Sequence, residues 1–375
     1  MFFNFTESLK EKIKYENIDK VIFFTSIILI VFGFLMFFSA SIGFLNKAAS
    51  EDYFANFVKM QMLSYLIGFV LMVFFYFFNL RILYKFSFWI FAFSLVTGFL
   101  IFVPGLAVSH GGGVRWVDIA GFSFQPADLI KFGSILGFAA YFARYKKYLD
   151  KPLYAAFFPI LLALPIVIIF FIQKDLGTLA IIFFIVGVMY FLNKTRFVYI
   201  FVAFLLSIIM AAAYAYTNTY VMDRIHGLKE ESYQTKQSLI ALGSGGVYGR
   251  GYGQSVQKFF HLPEPAGDSI YAVIGEELGF FGTCFTALLF MVLILRSYKI
   301  SGNIKNSFLK NLAYGIIILY FAQFVMNTGS MTKIIPLSGD TLPFFSKGGT
   351  AIIMNLLELG LLIKLTRKDI VNNNV

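Results

Sequence analysis

About ten stretches of mostly apolar residues, most of them 17 to 27 residues long, follow one another along nearly the whole chain. They fall at 21–43, 58–79, 82–104, 127–143, 153–172, 176–193, 197–216, 269–295, 309–330 and 349–366. A helix of about 20 residues crosses a hydrocarbon layer of roughly 30 Å. In hydrocarbon every backbone amide needs a partner within the protein, which leaves helices or a closed barrel. Barrel strands would alternate in polarity, and these runs do not. The sequence therefore predicts an all-α polytopic membrane protein with about ten transmembrane helices, in which residues 1–375 form a single transmembrane domain. The mean hydropathy of +0.77 and a charged fraction of only 14% agree.

The first run follows Lys10, Lys12, Lys14 and Lys20 and is longer than the apolar core of a cleaved signal, so it reads as a retained span. Cys284 is the only cysteine and lies inside a predicted span, which excludes disulfides and thiolate metal clusters. The net charge of +11 gathers in alternate loops, from Lys10 to Lys20, at Arg81 and Lys85, at Arg144 to Lys151, at Lys194 and Arg196, at Arg296 to Lys310, and at Lys364 to Lys368. That is the positive-inside pattern and not a nucleic-acid footprint. It puts both termini, 1–20 and 367–375, in the cytoplasm, and turns the loops 44–57, 105–126, 173–175, 217–268 and 331–348 outward. The large outward loop 217–268, between helices 7 and 8, is apolar enough to pack on the bundle.

Charge that these outward segments carry toward the membrane needs a physical reason. Asp268 opens the eighth span, where it serves either as a helix N-cap or as a carboxylate held at the boundary with water. Glu264 lies beside it. Glu276 and Glu277 fall about two turns into the span, as a structural ion pair or as part of a reactive site. Asp128 and Lys131 share a helix face behind Pro126, either satisfying each other or holding phosphate. Arg115 beside Trp116 suits a bidentate phosphate contact or an interfacial anchor. Arg224, Lys236, Arg250 and Lys258 are further cations of the large loop. Its glycine run, Gly243 to Gly253, lacks a phosphate-loop ending and reads as close backbone packing or a lid. His110, His226 and His261 show no ligand spacing.

In order along the chain stand Arg115-Trp116, Gln125-Pro126 with Lys131, Gln173 with Asp175-Leu176-Gly177-Thr178, and Tyr233-Gln234 with Gln237-Ser238. After them come Gly245-Gly246 with Gly249 and Gly251, Leu262-Pro263-Glu264 with Asp268, Glu276-Glu277-Leu278-Gly279, and Leu342-Pro343-Phe344 with Ser346 and Gly348-Gly349. This ordered set resembles the shape, elongation, division and sporulation family, the FtsW/RodA polymerases of bacterial cell-wall synthesis. Ser39-Ala40-Ser41, Gly275-Glu276-Glu277 and Thr341-Leu342-Pro343 look more like the division-type than the elongation-type members. The chain departs from the family pattern at Ala266-Gly267 for His-Thr, Asp128 for Glu, Lys174 for Pro and Lys347 for Tyr.

The resemblance implies a multi-pass enzyme of the bacterial cytoplasmic (inner) membrane. It would polymerise lipid II, the undecaprenyl-pyrophosphate-linked disaccharide-pentapeptide, for septal synthesis. It implies Asp268 as catalytic base, Arg115, Lys131, Arg224 and Gln125 at the substrate's pyrophosphate, and Asp128, Glu264, Glu276, Glu277, Asp175 and Ser346 in support. A divalent cation, Mg or Mn, is a candidate for neutralising the leaving group; its protein ligands are not assigned, and no organic cofactor is called for. Implied partners are a class B penicillin-binding transpeptidase, other divisome proteins and membrane lipid. The alternatives are an elongation-type polymerase or a flippase of lipid-linked precursor, which would place its polar groups at the midplane on broken helices.

Overall fold

The computed structural model describes residues 18–43, 51–103, 105–110, 113–119, 122–193, 195, 198, 233–337 and 339–372. Its main helices are α1 Lys20–Ile42, α2 Glu51–Phe77, α3 Leu80–Gly98, α4 Pro126–Arg144, α5 Phe158–Ile172, α6 Leu176–Leu192, α7 Tyr233–Ser244, α8 Ile270–Ser301, α9 Ser307–Met331 and α10 Gly349–Leu365. Among the described residues, six helical segments are long and apolar enough to cross a membrane, namely α1, α2, α3 with the 3-10 turn that follows it, α5 with the π turn before it, α8 and α9. The expected spans at 127–143, 176–193 and 349–366 fall on α4, α6 and α10. The one expected at 197–216 lies outside the described residues apart from Val198, as does all of 217–232.

The bundle is arranged inside out. Outer helices present bare hydrocarbon, with Phe24, Phe69, Phe93, Leu161 and Phe280 all more than half exposed. The central helices α4, α9 and α10 are buried nearly all round. They carry polar side chains inward, among them Asp128, Lys131, Asn311, Gln323, Asn327, Asn355 and Glu358. Lipid accepts apolar side chains at no cost, so the sequence's few polar groups collect where protein surrounds them. α2 packs along α10, α3 along α4, and α8 against both α1 and α9.

Residues 105–126, expected as a loop, contain a three-stranded antiparallel sheet, β1 Ala107–His110, β2 Gly113–Ile119 and β3 Phe122–Phe124. Val108 pairs with Trp116 and Val117 with Phe124. The strands are short and their turns lie in a glycine-rich stretch, which hides the pattern from a search for long periodicity.

α8 is not continuous. Gly279 has φ 66° and ψ −160°, outside the helical region, and leaves neighbouring amides without their helical partners. The glycine run of the large loop supplies replacements. Arg250 N–H donates to the Glu276 carbonyl (3.0 Å) and Gly251 N–H to that of Glu277 (2.9 Å). In return Phe280 N–H donates to the Gly246 carbonyl (2.9 Å) and Phe281 N–H to that of Val247 (3.3 Å). Such contact needs bare backbone. A Cβ at Gly249, which has φ 80°, would stand 2.2 Å from the Glu277 carbonyl oxygen. Close backbone packing is therefore what the run does.

Gly249→Ala should lower the stability of the purified protein by about 1–3 kcal/mol, as overpacking with a strained φ does. Gly243→Ala, in a helix with open space beside it, should leave the melting temperature unchanged or slightly raised. Thermal melting in detergent compares the two, and equal melting would contradict the docked-loop reading.

Candidate functional site

The loop that fills the break is pinned by the two carboxylates just before it. Glu276, fully buried, accepts from Ser255 Oγ (2.6 Å), Val256 N–H (3.0 Å) and Gln257 N–H (3.2 Å), with Arg250 Nε at 3.6 Å. Glu277, also fully buried, accepts from Ser39 Oγ of α1 (2.6 Å) and Gly253 N–H (3.0 Å). It also pairs with Lys258 Nζ at 2.6 Å, and that ammonium reaches Ser39 Oγ (3.0 Å) and the Gly253 carbonyl (2.9 Å). All of these are contacts within the protein, and they tie the two glutamates to the loop. Lys258, expected among the loop's outward cations, is fully buried instead.

Asp268 follows from this docking. It is not the helix N-cap: that position belongs to Ser269, and α8 begins at Ile270. The chain turns at Glu264, which has φ 43° and whose carbonyl accepts from Gly267 and Ser269 N–H (2.9 and 3.3 Å). A second loop, between α9 and α10, closes over it. Lys347 N–H donates to the Ala266 carbonyl (2.5 Å), and Asn327 of α9 donates through Nδ2 to the carbonyls of Asp268 and Asp340 (2.8 Å each). The second loop is itself braced by Ser346 Oγ, which accepts from Leu342 N–H (2.8 Å), and by Tyr65 of α2, which donates to the Phe344 carbonyl (2.8 Å).

The Asp268 carboxylate sits beneath these turns with Oδ1 buried and, among the described residues, without a hydrogen-bond partner. Burial pushes its pKa up to about 6, with the charges of Glu264 and Asp340 adding to the rise and a hydrogen bond from Gln234 opposing it. A group so placed is ionised at neutral pH and still basic enough to take a proton.

The other expected residues form separate local sets. Lys131 Nζ meets Asp128 Oδ1 at 2.7 Å, both nearly buried, and the field of that lysine also reaches Asp340 and Glu358. Arg115 donates to the Lys174 carbonyl (2.7 Å) and stands 3.9 Å from Asp175, which caps α6 by accepting from Thr178 N–H and Oγ1. Gln125 precedes α4 and donates its N–H to Thr350 Oγ1 of α10 (2.9 Å). Arg224 lies outside the described residues. Among those described, no three His, Cys, Asp or Glu side chains gather closely enough to hold a metal ion. Sequence reading missed Asn327 and Glu358, though a polar residue within an apolar run was a signal available for each, and it missed Asp340, which stands in the loop 331–348 where a charge carries no such signal.

A family model described as "Cell cycle protein", covering FtsW, RodA and SpoVE, matches residues 19–370. A probable peptidoglycan glycosyltransferase FtsW of Geobacter sp. (strain M18) is 32% identical over 361 residues, 94% of this chain and 98% of the relative. The stage V sporulation protein E of Bacillus subtilis (strain 168) is 31% identical over 360 residues, 93% and 97% of the two chains. The crystal structure of the rod shape determining protein RodA of Thermus thermophilus covers 95% of this chain and 98% of its own, with a TM-score of 0.67 at 22% identity. A structure titled for the coordination of polymerization and crosslinking by a peptidoglycan synthase complex covers 89% and 96%, with a TM-score of 0.70 at 22% identity. At that identity the two structures establish a common fold.

Lys258→Met should strip the buried Glu277 of its counter-charge and cost about 3–5 kcal/mol, and adding Glu277→Gln should recover part of that loss. Melting of the two variants in detergent checks this. A double variant less stable than the single would show that the pair is not the anchor described.

Proposed function

The chain belongs to the FtsW/RodA/SpoVE family, and from that premise we propose that it is a peptidoglycan glycosyltransferase that polymerises lipid II at the outer face of the bacterial cytoplasmic membrane. The observation that carries the reading is Asp268, a carboxylate with a buried, unpartnered oxygen and a pKa raised to about 6, between two outward loops. Asp268 takes the proton of the acceptor sugar's 4-hydroxyl as that oxygen attacks the anomeric carbon of the donor. The glycosidic bond forms, the bond to the lipid pyrophosphate breaks, and the leaving group departs with its charge.

Neutralising that charge falls to Arg115, Lys131 and Arg224, with Gln125 nearby on the chain. Arg115 and Lys131 reach phosphate by exchanging partners they now hold, the Lys174 carbonyl and Asp128. A divalent cation, Mg or Mn, would be held chiefly by the substrate's own phosphate oxygens and would supply further neutralisation of the leaving group. Residues 1–375 act as one transmembrane unit with 217–268 as its working loop. The name FtsW of its relatives favours septal synthesis over elongation. The complex that couples polymerization to crosslinking favours a class B penicillin-binding transpeptidase as partner, alongside other divisome proteins.

A flippase reading has one observation on its side, the broken helix α8. The assay that separates the two supplies lipid II to the purified full chain, with its cognate transpeptidase, and measures both glycan chains and lipid movement between leaflets. Asp268→Asn should reduce polymerisation by about 100- to 10,000-fold with melting unchanged. Polymer made equally well by the variant would overturn the assignment of the base. Lipid movement without polymer from the unaltered protein would establish the flippase.

A further inference from the structure

At the end of the bundle away from Asp268, a cavity of about 440 Å³ opens between the first turns of α3 and α9 and the last turn of α4. Its wall carries Arg81, Tyr84, Asn306 and Ser307 over a floor that includes Ala143 and Phe308. From Pro126 to Ala143 α4 rises about 25 Å, so the cavity and the outward loops stand at opposite faces of a bilayer-thick bundle. Nothing in the glycosyltransferase reading uses it.

Three features of the cavity define a ligand class. The Arg81 guanidinium makes no ion pair or hydrogen bond among the described residues; only its backbone N–H is bonded, to Asn79 Oδ1 at 2.9 Å. The helix starts are already capped, since Asn306 Oδ1 accepts from Phe308 and Leu309 N–H (3.0 and 3.2 Å). Binding therefore falls to side chains: a planar guanidinium with the Ser307 and Tyr84 hydroxyls beside it, which is the chemistry that holds phosphate. Beside the mouth, about 100° round α3 from Arg81, the exposed side chains of Ile82, Phe86, Trp89, Phe93 and Val96 follow one another at helical spacing and present an apolar face. A phosphate that meets Arg81 at the edge of such a face is the headgroup of a lipid lying in the membrane beside it.

We propose that this cavity binds the phosphate headgroup of an anionic glycerophospholipid, with Arg81 as its charged ligand. The positive-inside pattern puts Arg81 on the cytoplasmic side, where Arg144 and Lys310 raise the local concentration of anionic lipid. Lys310 and Arg144 do not compete for the site, because Lys310 Nζ is spent on the Gly302 carbonyl (2.6 Å) and Arg144 lies over the Phe88 ring at 5.8 Å.

The test is native mass spectrometry of the full chain in detergent with equal amounts of phosphatidylglycerol and phosphatidylcholine of the same acyl chains. The unaltered protein should retain phosphatidylglycerol in preference by about fivefold or more. Arg81→Gln should bring the preference to about one, while Lys85→Gln, outside the cavity, should keep it. Because a variant can fail to fold, photo-crosslinkable phosphatidylglycerol is also mapped on the unaltered protein, where labelling should fall on residues 80–84 and 306–309. Added inorganic phosphate should leave that labelling in place. Equal retention of the two lipids, labelling elsewhere, or displacement by inorganic phosphate would each overturn the proposal.

Discussion

A helix interrupted within a membrane-spanning segment must find new partners for the amides that the interruption frees. In this protein the interruption at Gly279 is met by backbone from the loop that precedes α8, and the arrangement of the segments around Asp268 follows from that exchange. Only glycines can bring two backbones so close, which accounts for Gly245 and Gly249 within the run. The same approach brings Ser255, Val256 and Lys258 within reach of Glu276 and Glu277, so two carboxylates that lipid would penalise become the loop's anchors.

Once the loop is fixed, the segment leaving it has one path into α8, and Asp268 lies on that path. The loop between α9 and α10 then closes over it through Lys347 and Asn327. The carboxylate is thereby both withdrawn from water and set near two others, Glu264 and Asp340, which is why it holds its proton to a higher pH than an ordinary aspartate. The buried pair of Asp128 and Lys131 in the centre of the bundle, with Glu358 nearby, extends this polar core away from the surface.

The helical architecture was legible because long apolar runs and alternating basic loops are imposed directly by the bilayer. Asp268, Glu276 and Glu277 were legible as costly charges, and the glycine run as backbone contact, although its partner was not. The small sheet at 107–124 was missed because its strands are shorter than any window in which period two stands out. Lys258 was misread as an outward cation, since its partner Glu277 is 19 residues away, on the far side of the turns that lead into α8. The cap assigned to Asp268 fell to Ser269 for a related reason: a one-residue shift of a helix start depends on the turn at Glu264, which tertiary contacts decide.

The central claim is that the ionised Asp268 carboxylate, with its raised pKa, does the work of a general base. The measurement that reaches it most directly is the pH dependence of lipid II polymerisation under single-turnover conditions, for the unaltered protein and for Glu264→Gln. Because the raised pKa keeps the carboxyl protonated at low pH, the rate should rise as one proton is lost, with its midpoint at about 6, and level off above it. Removing the Glu264 charge should move that midpoint down. A rate that is flat through this region, or a midpoint indifferent to Glu264, would contradict the account.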